Sequence, residues 1–122
     1  MKIVKLVTMF AENVIKQNAY IKEGNSSEGN KAAKKYVKAF KEITGRFGDE
    51  GREALVELLK NPDEGVRAMA AAFLLRYKTE EAKRVLSEIA TGKGFAAFGA
   101  SETLKRWQEG TWALDITEKG TS

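Results

Sequence analysis

Apolar residues recur three and four positions apart along most of this chain, the spacing of amphipathic helices. Ile3, Val7, Phe10, Val14 and Ile21, with Val4, Ala11 and Ile15 beside them, predict a first helix ending near Gly24. "GNSSEGN" then reads as a polar turn, and Asn25 followed by Glu28 has the spacing of a capping box. A second helix is predicted over about 28–47, with Ala33, Tyr36, Val37, Phe40, Ile43 and Phe47 on one side and Gly48 as its stop. Asp49 is placed to cap a third helix whose apolar face is Ala54, Leu55, Leu58 and Leu59. Asn61-Pro62-Asp63 breaks the chain before a fourth helix that ends near Tyr77. Thr79 caps a fifth, carrying Ala82, Val85, Leu86, Ile89 and Ala90, and "TGKG" separates it from a sixth over about 95–109, with Phe98, Leu104 and Trp107 inward. Strand-like alternation occurs only in the tail, at Trp112, Leu114 and Ile116. The chain thus divides into a helical domain over 1–110 and a C-terminal tail over 111–122. In that tail, Trp112 and Leu114 are expected to pack on the end of the domain, with disorder from about Glu118.

The fourth helix decides the architecture. Val66, Ala70, Phe73, Leu74 and Tyr77 form one stripe, while Met69, Ala72 and Leu75 lie outside it and Ala68 is small. A helix apolar nearly all round is an internal one. Three stacked hairpins would cover it, the first and last flanking the central pair, so the expected class is all-α with each hairpin burying its faces against its neighbours.

"LVELLKNPDEGVRAMAAAFLL" resembles a HEAT repeat: a Leu-rich first helix, a Pro-Asp turn, then Val-Arg and paired Ala in the second helix. The matching positions are Leu55, Leu58, Leu59, Pro62, Asp63, Val66, Arg67, Ala70, Ala71 and Leu74. The segment 82–107 resembles a degenerate repeat without the Pro-Asp turn. The arrangement up to about Gly110 is similar to a small bacterial family of uncharacterised domains with HEAT-like repeats, closed by an ending like that at Ser101, Leu104 and Trp107. This resemblance implies a short right-handed α-α superhelix of about six helices. It also implies binding to other proteins, with no catalytic residues. Asp63 and Arg67 would tie adjacent turns together, and Trp107 would belong to the core.

Composition narrows the chemistry. With 122 residues, 43% apolar and 31% charged, the chain suits one globular domain. It has no Cys and no His, which removes the thiol nucleophile, the commonest general base and the commonest metal ligands. Glu80-Glu81 and Asp49-Glu50 are neighbours in sequence at helix starts, where the dipole favours negative charge, and neighbours on a helix do not face each other. "TGKGF" lacks the spacing of a phosphate loop and a preceding strand. The expectation is therefore a non-enzyme without cofactor or metal. "MKIVKLVTMFAENV" is interrupted by Lys5 and Glu12 and has no cleavage site, and no stretch is long and apolar enough for a bilayer. A cytoplasmic location without a membrane partner is expected.

Charge supplies the candidate surface. Lys31, Lys34, Lys35, Lys38 and Lys41 fall within an arc of roughly 120° on the second helix, opposite its apolar stripe. Such a face either solvates the helix or docks an acidic partner, a protein or nucleic acid phosphates, and the net charge of +4 bears on the nucleic-acid case. Were the second helix of each hairpin to line one concave side, Lys105 and Arg106 would extend this patch. The leading expectation is a protein-interaction module: an adaptor, a regulatory subunit or an immunity-type partner. The alternative is nonspecific, salt-dependent nucleic-acid binding, and pairing of the stack's ends into a homo-oligomer stays open.

Overall fold

The structure, a computed structural model, describes residues 2–111. The expectations placed on Trp112, Leu114 and the segment from Glu118 lie outside the described residues. Among those described there are five α-helices and no strand: α1 (Ile3–Lys22), α2 (Ser26–Val56), α3 (Glu64–Leu74), α4 (Thr79–Ala90) and α5 (Phe95–Gln108), with a 3-10 turn at Glu57–Lys60 before α3.

α1 and α2 pack along much of their length. Leu6, Phe10 and Val14 of α1 are fully buried, as is Ile43 of α2, with Tyr36, Ala39 and Phe40 close to it. The Asn25 cap forms as the sequence predicts, its side-chain oxygen accepting from the Glu28 backbone N–H at 3.2 Å. The Tyr36 hydroxyl donates to Gln17 Oε1 at 3.0 Å, so the polar end of a buried ring is satisfied across the pair.

α3 is the central element. It touches α1, α2, the 3-10 turn, α4 and α5. Val66 and every residue from Ala70 to Leu75 are buried, as its nearly continuous apolar surface predicts. The alanines permit close approach on several sides, while Phe73 reaches into the α1–α2 pair. Its ring meets Phe40, Phe10 and Tyr36 edge to face, at centroid separations of 4.7, 5.3 and 6.0 Å.

Asp63 caps α3, its Oδ1 accepting from the Val66 N–H at 2.9 Å. Arg67 turns instead to the preceding turn, donating from Nη1 to the Asn61 carbonyl at 2.8 Å and the Pro62 carbonyl at 3.2 Å. Both residues thus hold the Asn-Pro-Asp turn against the helix. Asp63→Ala should cost about 0.5–2 kcal/mol, the usual loss for an N-cap. Urea denaturation checks this, with Asp63→Asn as the variant that keeps the cap.

The helical pattern of α2 breaks at Gly48, at φ 56° and ψ −128°, where the sequence pattern stops the second helix, so α2 consists of two helical arms meeting at a kink. Counted with α2 as one element, there are five α-helices among the described residues, where six were expected. Two expected caps differ. Asp49 does not cap a new helix: its Oδ1 accepts from Arg52 Nη1 at 3.5 Å. Thr79 likewise lies inside α4, and its hydroxyl donates back to the Leu75 carbonyl at 2.6 Å. At Thr79 the hydrogen bond to the preceding segment takes the place of a fresh cap.

Candidate interaction surfaces

α2 presents two unlike faces because its apolar residues repeat with the helix period. Ala32, Tyr36, Ala39, Phe40 and Ile43 are buried, which leaves Lys31, Lys34, Lys35, Lys38 and Lys41 exposed on the other side. Lys31 is paired with Glu28 at 3.1 Å, and Glu42 is turned to Arg46 at 3.9 Å. Lys34, Lys35, Lys38 and Lys41 make no ion pair among the described residues. Half-buried Ala33 and Val37 lie between them, and with Lys34, Lys38 and Lys41 they line a shallow depression of about 340 Å³. The surface is therefore a small apolar floor walled by ammonium groups.

Lys105 and Arg106 are exposed in the last turn of α5. α5 packs on α4 and α3, not on α2 to any comparable extent. The structure does not bring the two basic groups together. α1, rather than α2, shares a face with α3 and α5.

That shared face is a groove. Its inner part is an apolar cleft of about 110 Å³ floored by Ala68, Met69 and Ala72 of α3, with Gly99, Ala100 and Thr103 of α5 along one side. It opens into a wider mouth of about 560 Å³ between Ile15 and Lys22 of α1 and Lys93 and Phe95 at the start of α5. Asn18, Gly65, Phe95 and Ala96 line both parts, so they are continuous. Ile15 and Phe95 are exposed at its edges, and Phe98 is 67% exposed on α5. The sequence pattern placed Phe98 inward. The inward residues are instead Ala97, Ala100 and Thr103, whose small side chains let α5 lie close to its neighbours and leave both phenylalanines outside. Trp107 and Leu104 are partly buried and packed against the core.

A polar cluster links α2 to the start of α4. Glu53 Oε2 accepts from the Tyr77 hydroxyl at 2.8 Å and lies 3.2 Å from Lys78 Nζ. The Tyr77 bond, then Lys78, hold the Glu53 carboxyl below its ordinary range, and the same bond pushes the Tyr77 phenol up. Burial raises the Tyr36 phenol, partly offset by its bond to Gln17. The cluster joins residues 24 positions apart, so it braces the helix junction. Among the described residues, no three His, Cys, Asp or Glu side chains are grouped to hold a metal ion.

A family model for a domain of unknown function, DUF2019, matches residues 4–107. The chain belongs to this family. Its fold is also similar to that in the crystal structure of the protein RPA1889 from Rhodopseudomonas palustris CGA009, with a TM-score of 0.85 and 28% identity over 93% of each chain. Among curated proteins, none is significantly similar in sequence. Nearly all of the five helices, the lysine face and the groove fall inside the matched DUF2019 region. No helix among the described residues is long and apolar enough to cross a membrane.

Proposed function

We propose that this DUF2019 domain is a non-catalytic protein-interaction module of the cytoplasm, an adaptor, regulatory or immunity-type partner that docks an acidic protein segment on the outer face of α2. The scaffold we assign to it is a short, HEAT-like right-handed superhelix. Supporting this are the Asp63 and Arg67 bonds that brace the Asn-Pro-Asp turn and the central position of α3, buried at Val66 and from Ala70 to Leu75.

One observation carries the binding reading: unpaired Lys34, Lys38 and Lys41 surround an accessible floor of Ala33 and Val37. Lysines that only solvate a helix need no apolar floor between them. A partner carboxylate meeting these ammonium groups would lay its neighbouring aliphatic atoms on Val37, combining charge attraction with burial. Lys34 to Lys41 spans about 10 Å of helix, enough for two or three acidic side chains on one partner element.

The second reading is nonspecific nucleic-acid binding, favoured by the same unpaired lysines. The face has no exposed aromatic ring between its lysines on which bases would stack, and it presents Lys where bidentate phosphate recognition uses Arg.

A nuclease-treated pull-down from the source cell's lysate, read by mass spectrometry, tests this. Wild type should retain a discrete protein, and the variant with Lys34→Glu, Lys35→Glu and Lys38→Glu should lose it. Measured with that partner, affinity should fall about 100-fold, as three contacts of roughly 1 kcal/mol each would give. All three positions are exposed, so the thermal midpoint should stay within a few degrees. If nothing survives nuclease, and untreated wild type carries salt-released nucleic acid, the second reading replaces the first.

A further inference from the structure

We infer that the groove between α1, α3 and α5 is closed by a second copy of this chain, in a two-fold dimer where Phe98 of each copy enters the cleft of the other. The lysine face takes no part in it, since α2 lines neither section of the groove.

The first support is a projection beside a recess. At about 100° per residue, Phe95, Ala96, Gly99, Ala100 and Thr103 share one side of α5 and form one wall of the cleft. Phe95 stands at the edge of that wall, half exposed, and Phe98 lies next to it on the outer side with most of its ring in solvent. The cleft holds about 110 Å³ above its apolar floor of Ala68 and Met69. An engineered apolar cavity of about 150 Å³ takes a benzene molecule, so an open cleft of this size accepts the outer part of one phenyl ring. Within one copy, Phe98 does not line that hollow. In a two-fold pair the ring and the hollow meet twice, because a contact from residue i to residue j implies one from j to i.

The second is charge. The mouth carries Lys22 and Lys93 together with Asp63 and Glu64. Lys22, Lys93 and Glu64 make no ion pair among the described residues, and Asp63 uses its Oδ1 for the Val66 cap. A uniformly acidic or basic partner would set part of this rim against like charge. A second copy turned about an axis at the mouth brings lysines to carboxylates on both sides. The all-lysine face of α2, by contrast, would repel its own copy.

Gly99 is the third. It lies inside α5, where glycine costs about 0.5–1 kcal/mol relative to alanine, yet a Cβ there would meet nothing within 4 Å. No contact within one copy calls for a glycine at this place in the cleft wall. The close approach of a second chain does.

Sedimentation over a concentration series at low salt should show wild type passing from monomer to dimer. Phe98→Ser and Gly99→Leu should each raise the dissociation constant about 100-fold or more, as loss of an anchoring contact in both copies would. Circular dichroism should show both variants still folded. Charge gives a reading that misfolding does not imitate. Lys22→Glu with Lys93→Glu makes the mouth acidic throughout, and Glu64→Lys makes it basic apart from Asp63. Each of these variants alone should stay monomeric, and the two mixed should form a heterodimer. Wild type that is monomeric at every concentration would overturn the inference and leave the groove to a different protein. So would a dimer that survives all of these changes, or one lost with Lys34→Glu, Lys35→Glu and Lys38→Glu on the other face.

Discussion

Truncating Phe73 to alanine should destabilise the domain by about 3–5 kcal/mol, the usual cost of removing a buried phenyl side chain. Phe73 is the only ring in contact with all three other aromatics of the core, Phe10, Tyr36 and Phe40, among the described residues. Each edge-to-face pair adds about 0.5–1.5 kcal/mol beyond area burial. The ring projects from α3 into the α1–α2 pair, so its loss leaves a void at the junction of the two parts of the fold. Chemical denaturation should show the midpoint falling with little change in slope. A Phe10→Ala, Phe73→Ala double mutant should lose less than the sum of the single losses, because the second truncation enlarges an existing cavity. A loss below about 1 kcal/mol for Phe73→Ala would mean that the site collapses freely and that the junction lies elsewhere.

The position of Phe73 was legible before any coordinates. A helix with Val66, Ala70, Phe73 and Leu74 on one stripe and Ala72 and Leu75 off it has no face to offer water. The lysine face of α2 was legible for the complementary reason, since burial of Tyr36, Phe40 and Ile43 forces Lys34, Lys35, Lys38 and Lys41 outward. The groove was not legible. It arises where α1, α3 and α5 leave a gap, and no local period reports how far apart three helices settle. Phe98 shows the same limit. Ranking side chains by size assigns it to the core, yet close packing of α5 uses Ala97 and Ala100. A signal was present in "FAAFGAS", whose small residues occupy one helical face. Tyr77 packs against the core as its place in the stripe predicts, while the partner of its hydroxyl, Glu53, is fixed only by the tertiary fold.

The bend in α2 supplies the other large effect, and its glycines separate three causes. Gly45 is helical and exposed, and a Cβ there would meet nothing within 4 Å, so Gly45→Ala should stabilise by about 0.5–1 kcal/mol. Gly48 has equally open surroundings but sits at φ +56°. Gly48→Ala should therefore cost about 1–3 kcal/mol through backbone conformation alone, since ψ −128° puts it in the mirror-image extended region that favours glycine. Gly51 has an ordinary φ and no room. A Cβ there would run into the Ile43 carbonyl oxygen and lie 2.7 Å from Ile43 Cγ2. Backbone cannot swing aside as a side-chain tip can, and Ile43 is itself fully buried. Gly51→Ala should cost about 3 kcal/mol or more, at or beyond the upper end of ordinary overpacking. The order Gly45→Ala, Gly48→Ala, Gly51→Ala in denaturant midpoints checks all three assignments. Were Gly51→Ala no worse than Gly48→Ala, the two arms of α2 would have slack between them and the contact with Ile43 would not set the bend. The N-terminal arm carries every lysine of the proposed docking face, so Gly51→Ala should lower stability without weakening partner binding measured below its melting transition.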